Sequence, residues 1–291
     1  MSEFHGVLPA LITPFTEDGS AIDSDALAAF VDRLIDADVG GLVPGGSTGE
    51  FTTLTNAERR QLTEVTVEGA AGRVPVVAGT SALSTSETVE LSVHAEQAGA
   101  AAVMIIPPFY DAPGWRELLA HYTAVAAAID IPIMYYNLPS ATGVTLSAEQ
   151  LRELPIASLK DTGGDATAAT ELIQTDGPTL LNGYDTHTFH ALAAGVEAVV
   201  WGTASIIPEQ CVELHRLLID DIDLPAAREL WARIWPLCQF LESVSYSAAV
   251  KAACRVAGVT TGPVRAPLLE LSDDAVSELA ALFEHATLVA R

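Results

Sequence analysis

The sequence is short of basic residues, of cysteine and, most of all, of lysine. Fourteen basic side chains stand against 38 acidic ones in 291 residues, a formal net charge of −24. A chain this acidic repels a phosphate backbone and an anionic bilayer, so nucleic acid and membrane are set aside as partners. No apolar run approaches the ~20 residues of a membrane-spanning helix. Cys211, Cys238 and Cys254 are an odd number without CxxC spacing, which argues against a disulfide framework and against a zinc site. The start, Met1-Ser2-Glu3-Phe4-His5, lacks the basic end and apolar stretch of a secretion signal. A soluble, cytoplasmic protein is expected. Lys160 and Lys251 are the only lysines. A high-salt cytoplasm, where charge repulsion is screened, would produce such a composition, and so would a genome biased against lysine codons.

What is present is material for a core, with 49% hydrophobic and 18% charged residues. β-Branched runs begin near Gly6, Gly41, Val74, Ala101, Ile131, Ile156, Thr179 and Glu197, and amphipathic stretches follow them, as at Ser24–Asp38, Glu58–Gly69, Ser86–Ala98 and Trp115–Ala128. Thr55 with Glu58, and Ser147 with Gln150, have capping-box spacing. Eight alternations predict an α/β fold, a (β/α)8 TIM barrel working at the C-terminal ends of its strands. An open doubly wound sheet has the same alternation. Beyond Pro208 about four more helical stretches follow, punctuated by Pro225, Pro236, Pro263 and Pro267. The expected division is a barrel over 1–220 carrying the site and a helical C-terminal extension over 221–291 packed on it.

Lys160 ends the run Ile156-Ala157-Ser158-Leu159-Lys160. Strand alternation puts Ile156, Ser158 and Lys160 on one face and Ala157 with Leu159 on the other, so a barrel would turn Lys160 into its mouth. An ammonium carried into an apolar strand is disfavoured by desolvation, and a neutral amine can form a Schiff base with a ketone. Lys251, within a helical stretch, is the weaker candidate. On the preceding strand, parity pairs Met134 with Tyr136 and places the Tyr136 phenol beside Lys160, where it can move a proton. Gly45-Gly46-Ser47-Thr48-Gly49-Glu50 offers backbone N–H groups and two hydroxyls to a small carboxylate. The same stretch matches G-x-S-x-G, so a serine hydrolase using Ser47, Asp161 and His187 is a competing reading, although Phe51–Leu54 intervene before the next helix. Asp185, His187 and His190 read as polar residues at a helix start rather than a metal site. Phe109-Tyr110 sits where a strand gives way to a substrate-facing loop, and Trp201 reads as core.

These residues resemble the pyruvate-dependent class I aldolases and synthases, the family of dihydrodipicolinate synthase and N-acetylneuraminate lyase. The likeness runs from Leu8-Pro9-Ala10 to Pro267-Leu268-Leu269 and rests on GGSTGE at 45–50, YNLPSATG at 136–143, LKDTGGD at 159–165, NGYD at 182–185 and VKAA at 250–253. It implies that Lys160 is the Schiff-base lysine and Tyr136 the proton-relay tyrosine. Ser47 and Thr48 would hold the pyruvate carboxylate, with Thr48 also in the relay, and Gly183 and Val200 would lie along the substrate. Tyr110 would be lent to a neighbouring subunit of a homotetramer. No metal and no organic cofactor would be needed. Two positions depart from the pattern. Dihydrodipicolinate synthases carry a carboxylate-binding arginine where this chain has Ala141, which cannot make that bidentate contact. Neuraminate lyases carry a glutamate for sugar hydroxyls where it has Thr186. The resulting expectation is a lyase that makes or cleaves a 2-keto-3-deoxy sugar acid from or to pyruvate and an aldehyde. Dihydrodipicolinate synthase, a dehydratase of such acids and N-acetylneuraminate lyase are the alternatives, and a non-catalytic keto-acid sensor is a further competitor.

Overall fold

In the computed structural model, which describes residues 4–288, strands and helices alternate as the periodicities require. Met1, Ser2 and Glu3 of the start discussed above lie outside the described residues. The order is β1 (Gly6–Pro9), α1 (Ser24–Asp36), α2 (Asn56–Ala70), β2 (Val77–Gly79), α3 (Thr85–Ala98), β3 (Ala102–Ile105), α4 (Trp115–Ala126), β4 (Ile133–Asn137), α5 (Pro139–Thr142) and α6 (Ala148–Glu153). Then come β5 (Ser158–Asp161), α7 (Ala166–Gln174), β6 (Thr179–Asn182), α8 (Thr188–Ala193) and β7 (Ala198–Trp201). Four helices complete the chain: α9 (Pro208–Ile219), α10 (Leu224–Ser243), α11 (Tyr246–Val256) and α12 (Asp273–Thr287).

The helices begin where side chains can satisfy their free N–H groups. Both expected capping boxes form, Thr55 with Glu58 on α2 and Ser147 with Gln150 on α6. Asp23 caps α1 by accepting from the Ala26 N–H at 2.9 Å. That helix buries Leu27, Phe30, Val31 and Leu34, a stripe at the i, i+3, i+4, i+7 spacing. Pro236 does not end a helix as its position suggested; it lies inside α10. An internal proline costs about 3 kcal/mol, and the burial of Leu230, Ile234, Leu237 and Leu241 on the same helix offsets it.

The strands form a seven-stranded parallel sheet in the order β1-β7-β6-β5-β4-β3-β2. The expected strand near Gly41 is reduced to single bridges, Leu42 to Val76 and Ala10 to Val43. Pro44 supplies no N–H, and the flanking glycines leave few residues to pair. Even so, the Val43 N–H donates to the Pro9 carbonyl at 3.0 Å and the Val77 N–H to the Leu42 carbonyl at 2.9 Å. This segment therefore joins the two edge strands, so pairing continues round the sheet and neither edge is left open.

Parity sorts the side chains as expected. Met134 and Tyr136 share an inner cluster with Leu8, Met104, Leu181 and Val200. Ile133, Tyr135 and Leu159 join the outer layer between sheet and helices. Trp201 belongs to the core beneath α10 rather than to a pocket. That core runs across residue 220: Leu230, Leu237, Val250 and Cys254 of the C-terminal helices share one apolar cluster with Phe30, Val199 and Leu214.

Candidate active site

Adjacent strands bring the two principal candidates together. Tyr136 of β4 pairs in register with Lys160 of β5, and both side chains are buried. The Lys160 Nζ lies 4.1 Å from the centre of the Tyr136 ring. Both line a cavity of about 300 Å³ at the C-terminal ends of the strands, together with Ser47, Thr48, Gly183 and Val200. Gly183 makes room for the lysine. A Cβ there would stand 2.6 Å from Lys160 Cε and 2.7 Å from Lys160 Cγ, inside any tolerable contact.

The loop carrying Ser47 and Thr48 is held from several sides. Thr13 Oγ1 donates to the Gly49 carbonyl at 2.7 Å, and Ser247 Oγ to the Ser47 carbonyl at 2.8 Å. Glu50, next in the chain, has φ of 57°, a left-handed conformation that non-glycine residues rarely adopt. Its carboxylate accepts from Lys251 Nζ at 2.6 Å and from the Arg265 N–H at 2.9 Å. Glu50 and Lys251 side chains are 1% and 0% exposed, and burial pulls the Lys251 ammonium below its ordinary range while the Glu50 charge opposes that shift. The second lysine is thus an internal tie for the loop and not an amine facing substrate. Among the described residues no acceptor meets the N–H groups of Ser47 and Thr48, which leaves them available to a small anion.

Further lining comes from residues the motifs did not single out for this role. Asp185, read above as a polar residue at a helix start, is buried and lines the cavity. Its Oδ2 accepts from Thr203 Oγ1 at 2.6 Å, the Thr203 N–H at 3.1 Å and the Tyr246 hydroxyl at 2.8 Å. Desolvation still raises its carboxyl above the usual range, against the pull of those bonds and, more weakly, of Lys160. Tyr246 reaches Asp185 because residue 202 is glycine: a Cβ there would lie 2.0 Å from the tyrosine hydroxyl. Glu242, from the last turn of α10, lines the same cavity and is likewise raised by burial. Ser247 follows from α11. The polar run Ser245-Tyr246-Ser247 at the start of α11 is a legible signal; nothing local marks Glu242.

Three predicted site residues lie elsewhere. Tyr110 is 91% exposed and does not line its own chain's cavity. Ala141 lines an adjoining recess of about 210 Å³ with Phe51, Phe109 and Leu138. Thr186 stands behind the wall, its hydroxyl donating to Glu242 Oε2 at 2.7 Å and its N–H to Oε1 at 3.2 Å. The hydrolase grouping is not assembled. His187 lines a separate recess of about 80 Å³ beside Tyr184, and Asp161 accepts from Asn137 and from the Gly163 N–H. A short 3-10 turn over Phe51–Thr53, not a helix, follows Ser47. Among the described residues no group of three or more His, Cys, Asp or Glu side chains is placed to hold a metal ion. None of the described helices is long and apolar enough to cross a membrane.

The chain is similar to known proteins over almost its whole length. The model of the dihydrodipicolinate synthetase family matches residues 3–286. The 4-hydroxy-tetrahydrodipicolinate synthase of Methanopyrus kandleri is 38% identical over 279 residues, 94% of this chain and 93% of the relative. That of Methanothrix thermoacetophila is 38% identical over 283 residues, covering 95% of each. Among solved structures, dihydrodipicolinate synthase from Aquifex aeolicus superposes with a TM-score of 0.91 at 31% identity, over 97% of both chains. A prophage protein of the dihydrodipicolinic acid synthase family from E. coli K12, in complex with pyruvate, gives 0.93 at 30% identity over 99% of this chain and 100% of that one.

Proposed function

The chain belongs to the dihydrodipicolinate synthetase family of class I pyruvate-dependent lyases, and from that premise we propose that it joins pyruvate to an aldehyde, or reverses that reaction, through a Schiff base on Lys160. The observation carrying this reading is the buried Lys160 amine 4.1 Å from the Tyr136 ring, in one cavity with the Ser47–Thr48 loop. Pyruvate seats its carboxylate on that loop. The Lys160 amine attacks C2, water leaves, and an iminium forms. Loss of a C3 proton gives the enamine, whose C3 attacks the aldehyde carbon while Tyr136 protonates the aldehyde oxygen. Hydrolysis of the new iminium returns the free amine. In the lyase direction each step reverses. Lysine, phenol and loop hydroxyls suffice for this chemistry, without metal or organic cofactor. The assembly is a homotetramer in which the exposed Tyr110 projects toward a neighbouring site.

For the aldehyde, the relatives' names favour 4-hydroxy-tetrahydrodipicolinate formation. That seven-carbon product needs a four-carbon aldehyde bearing an amine and a second carboxylate, aspartate 4-semialdehyde. A second reading, a lyase of 2-keto-3-deoxy sugar acids, is favoured by Ala141 and by the lack, among the described residues, of any arginine lining the cavity or its adjoining recess.

Borohydride reduction with and without pyruvate, followed by peptide mass spectrometry, tests the mechanism. The adduct should map to Lys160 and vanish in Lys160→Ala. Tyr136→Phe should retain it while turnover falls by about 10²–10⁴-fold. Folded wild-type protein that yields no adduct overturns the reading. Rates with pyruvate plus aspartate 4-semialdehyde, against pyruvate release from 2-keto-3-deoxygluconate, then decide between the two substrates.

A further inference from the structure

Position 186 lacks the glutamate that would have presented a carboxylate to substrate hydroxyls, yet a carboxylate stands in the cavity wall. It belongs to Glu242, which arrives from α10, more than fifty residues later in the chain. The Thr186 hydroxyl and N–H each donate to one of its oxygens. A carboxylate has about four lone-pair positions, so one donor on each oxygen leaves acceptor capacity for a ligand. Asp185, Tyr246, Ser247 and Ser140 line the same cavity. Lys160 is the one cation among the described residues lining this cavity, and in the proposed reaction it is consumed by the keto acid.

We infer that Glu242, oriented by Thr186, is the specificity residue for the far end of the second substrate, and that it selects aldehydes carrying hydrogen-bond donors there, hydroxyls or an ammonium. The inference rests on the Schiff-base reading above and adds to it the chemistry of the non-keto partner. A far end that brings a carboxylate and no donor gains nothing from the Glu242 oxygens and has no cation to meet it, whereas a hydroxyl or ammonium donates to those oxygens. Thr186 is a positioning residue: its N–H and hydroxyl, one on each carboxyl oxygen, fix the orientation of the Glu242 side chain.

The test uses wild type and variants, each first shown to trap pyruvate on Lys160 with borohydride. kcat and KM are then measured with pyruvate and three aldehydes: glyceraldehyde, which offers hydroxyls; aspartate 4-semialdehyde, which offers an ammonium; and succinic semialdehyde, of equal length to the last but without a donor. Wild type should favour at least one donor-bearing aldehyde over succinic semialdehyde by about 10–100-fold in kcat/KM, the discrimination expected of a hydrogen bond to a charged group. Glu242→Leu should erase that preference, chiefly through KM. Glu242→Gln should retain a preference for hydroxyls and lose one for ammonium, which separates the two sources of donor. Thr186→Val should weaken the preference and Thr186→Ser restore it. Wild type that traps pyruvate yet favours succinic semialdehyde, or uses neither donor-bearing aldehyde, overturns the inference, as does a Glu242→Leu protein that keeps the preference. Wild type that does not trap pyruvate refutes the Schiff-base reading itself, a separate and earlier failure.

Discussion

At residue 183 the margin is one carbon atom. An added Cβ would stand 2.6 Å from both Lys160 Cε and Thr162 Oγ1, so the lysine would have to leave its present path along the wall. Gly183→Ala should therefore fold normally, since the clash is with a side chain beside a cavity. It should form the pyruvate adduct at least about 100-fold more slowly, because ångström-scale misplacement of a reacting group costs that much. Borohydride trapping beside a circular dichroism spectrum checks this; wild-type trapping would mean that the lysine swings aside without cost. Lys160 and Tyr136 were legible because strand parity is a local property, and the register of β4 with β5 needed only that both strands keep it. Gly183 was legible through the motif alone, since its reason is a contact with a side chain on another strand.

Between elements, the loop after the bridged segment is stabilised by α11 and by the chain beyond it, not by its own composition. Glu50 and Lys251 are a fully buried pair, and the lysine also donates to the Pro263 carbonyl at 2.8 Å and lies 4.0 Å over the Phe15 ring. Removing one member of such a pair strands the other's charge in a dry interior. Lys251→Met should lower unfolding free energy by about 3–5 kcal/mol in a denaturant titration, and its pyruvate KM should rise because the Ser47–Thr48 loop loses its anchor. Adding Glu50→Gln should recover part of the stability; a double variant no better than the single would show that the charge is not what matters. In sequence Lys251 is only a weak amine candidate, since the residues that occupy it, Glu50 and Pro263, are distant in sequence or non-helical.

Across the whole molecule the excess of 38 acidic over 14 basic residues has few partners to absorb it. Several exposed arginines are already paired, Arg60 with Glu90, Arg73 with Asp32 and Arg216 with Glu213 and Asp221, so the remaining carboxylates repel one another. Raising salt from about 0.1 to about 1 M shortens the screening length from about 10 to about 3 Å. Tm should rise over that range if self-repulsion opposes the compact state, as such charge does. A flat or falling Tm in KCl would point instead to a composition set by codon usage, with no physical demand from the solvent.

Alternation of strand and helix, capping boxes at Thr55 and Ser147, the inward parity of Tyr136 and Lys160 and the loop chemistry of residues 45–50 were determined by the sequence itself. Each depends on residues within one turn or one pleat of each other, where backbone geometry leaves little choice. The tertiary structure decided what distance in the chain conceals. It reduced the second strand to bridges across the sheet edges, carried Pro236 inside a helix and turned Lys251 inward. It also brought Glu242 and Tyr246 from the C-terminal helices into the cavity that Lys160 lines. Packing of α10 and α11 onto the sheet sets those contacts, and packing sums over many weak apolar interactions that no single residue announces.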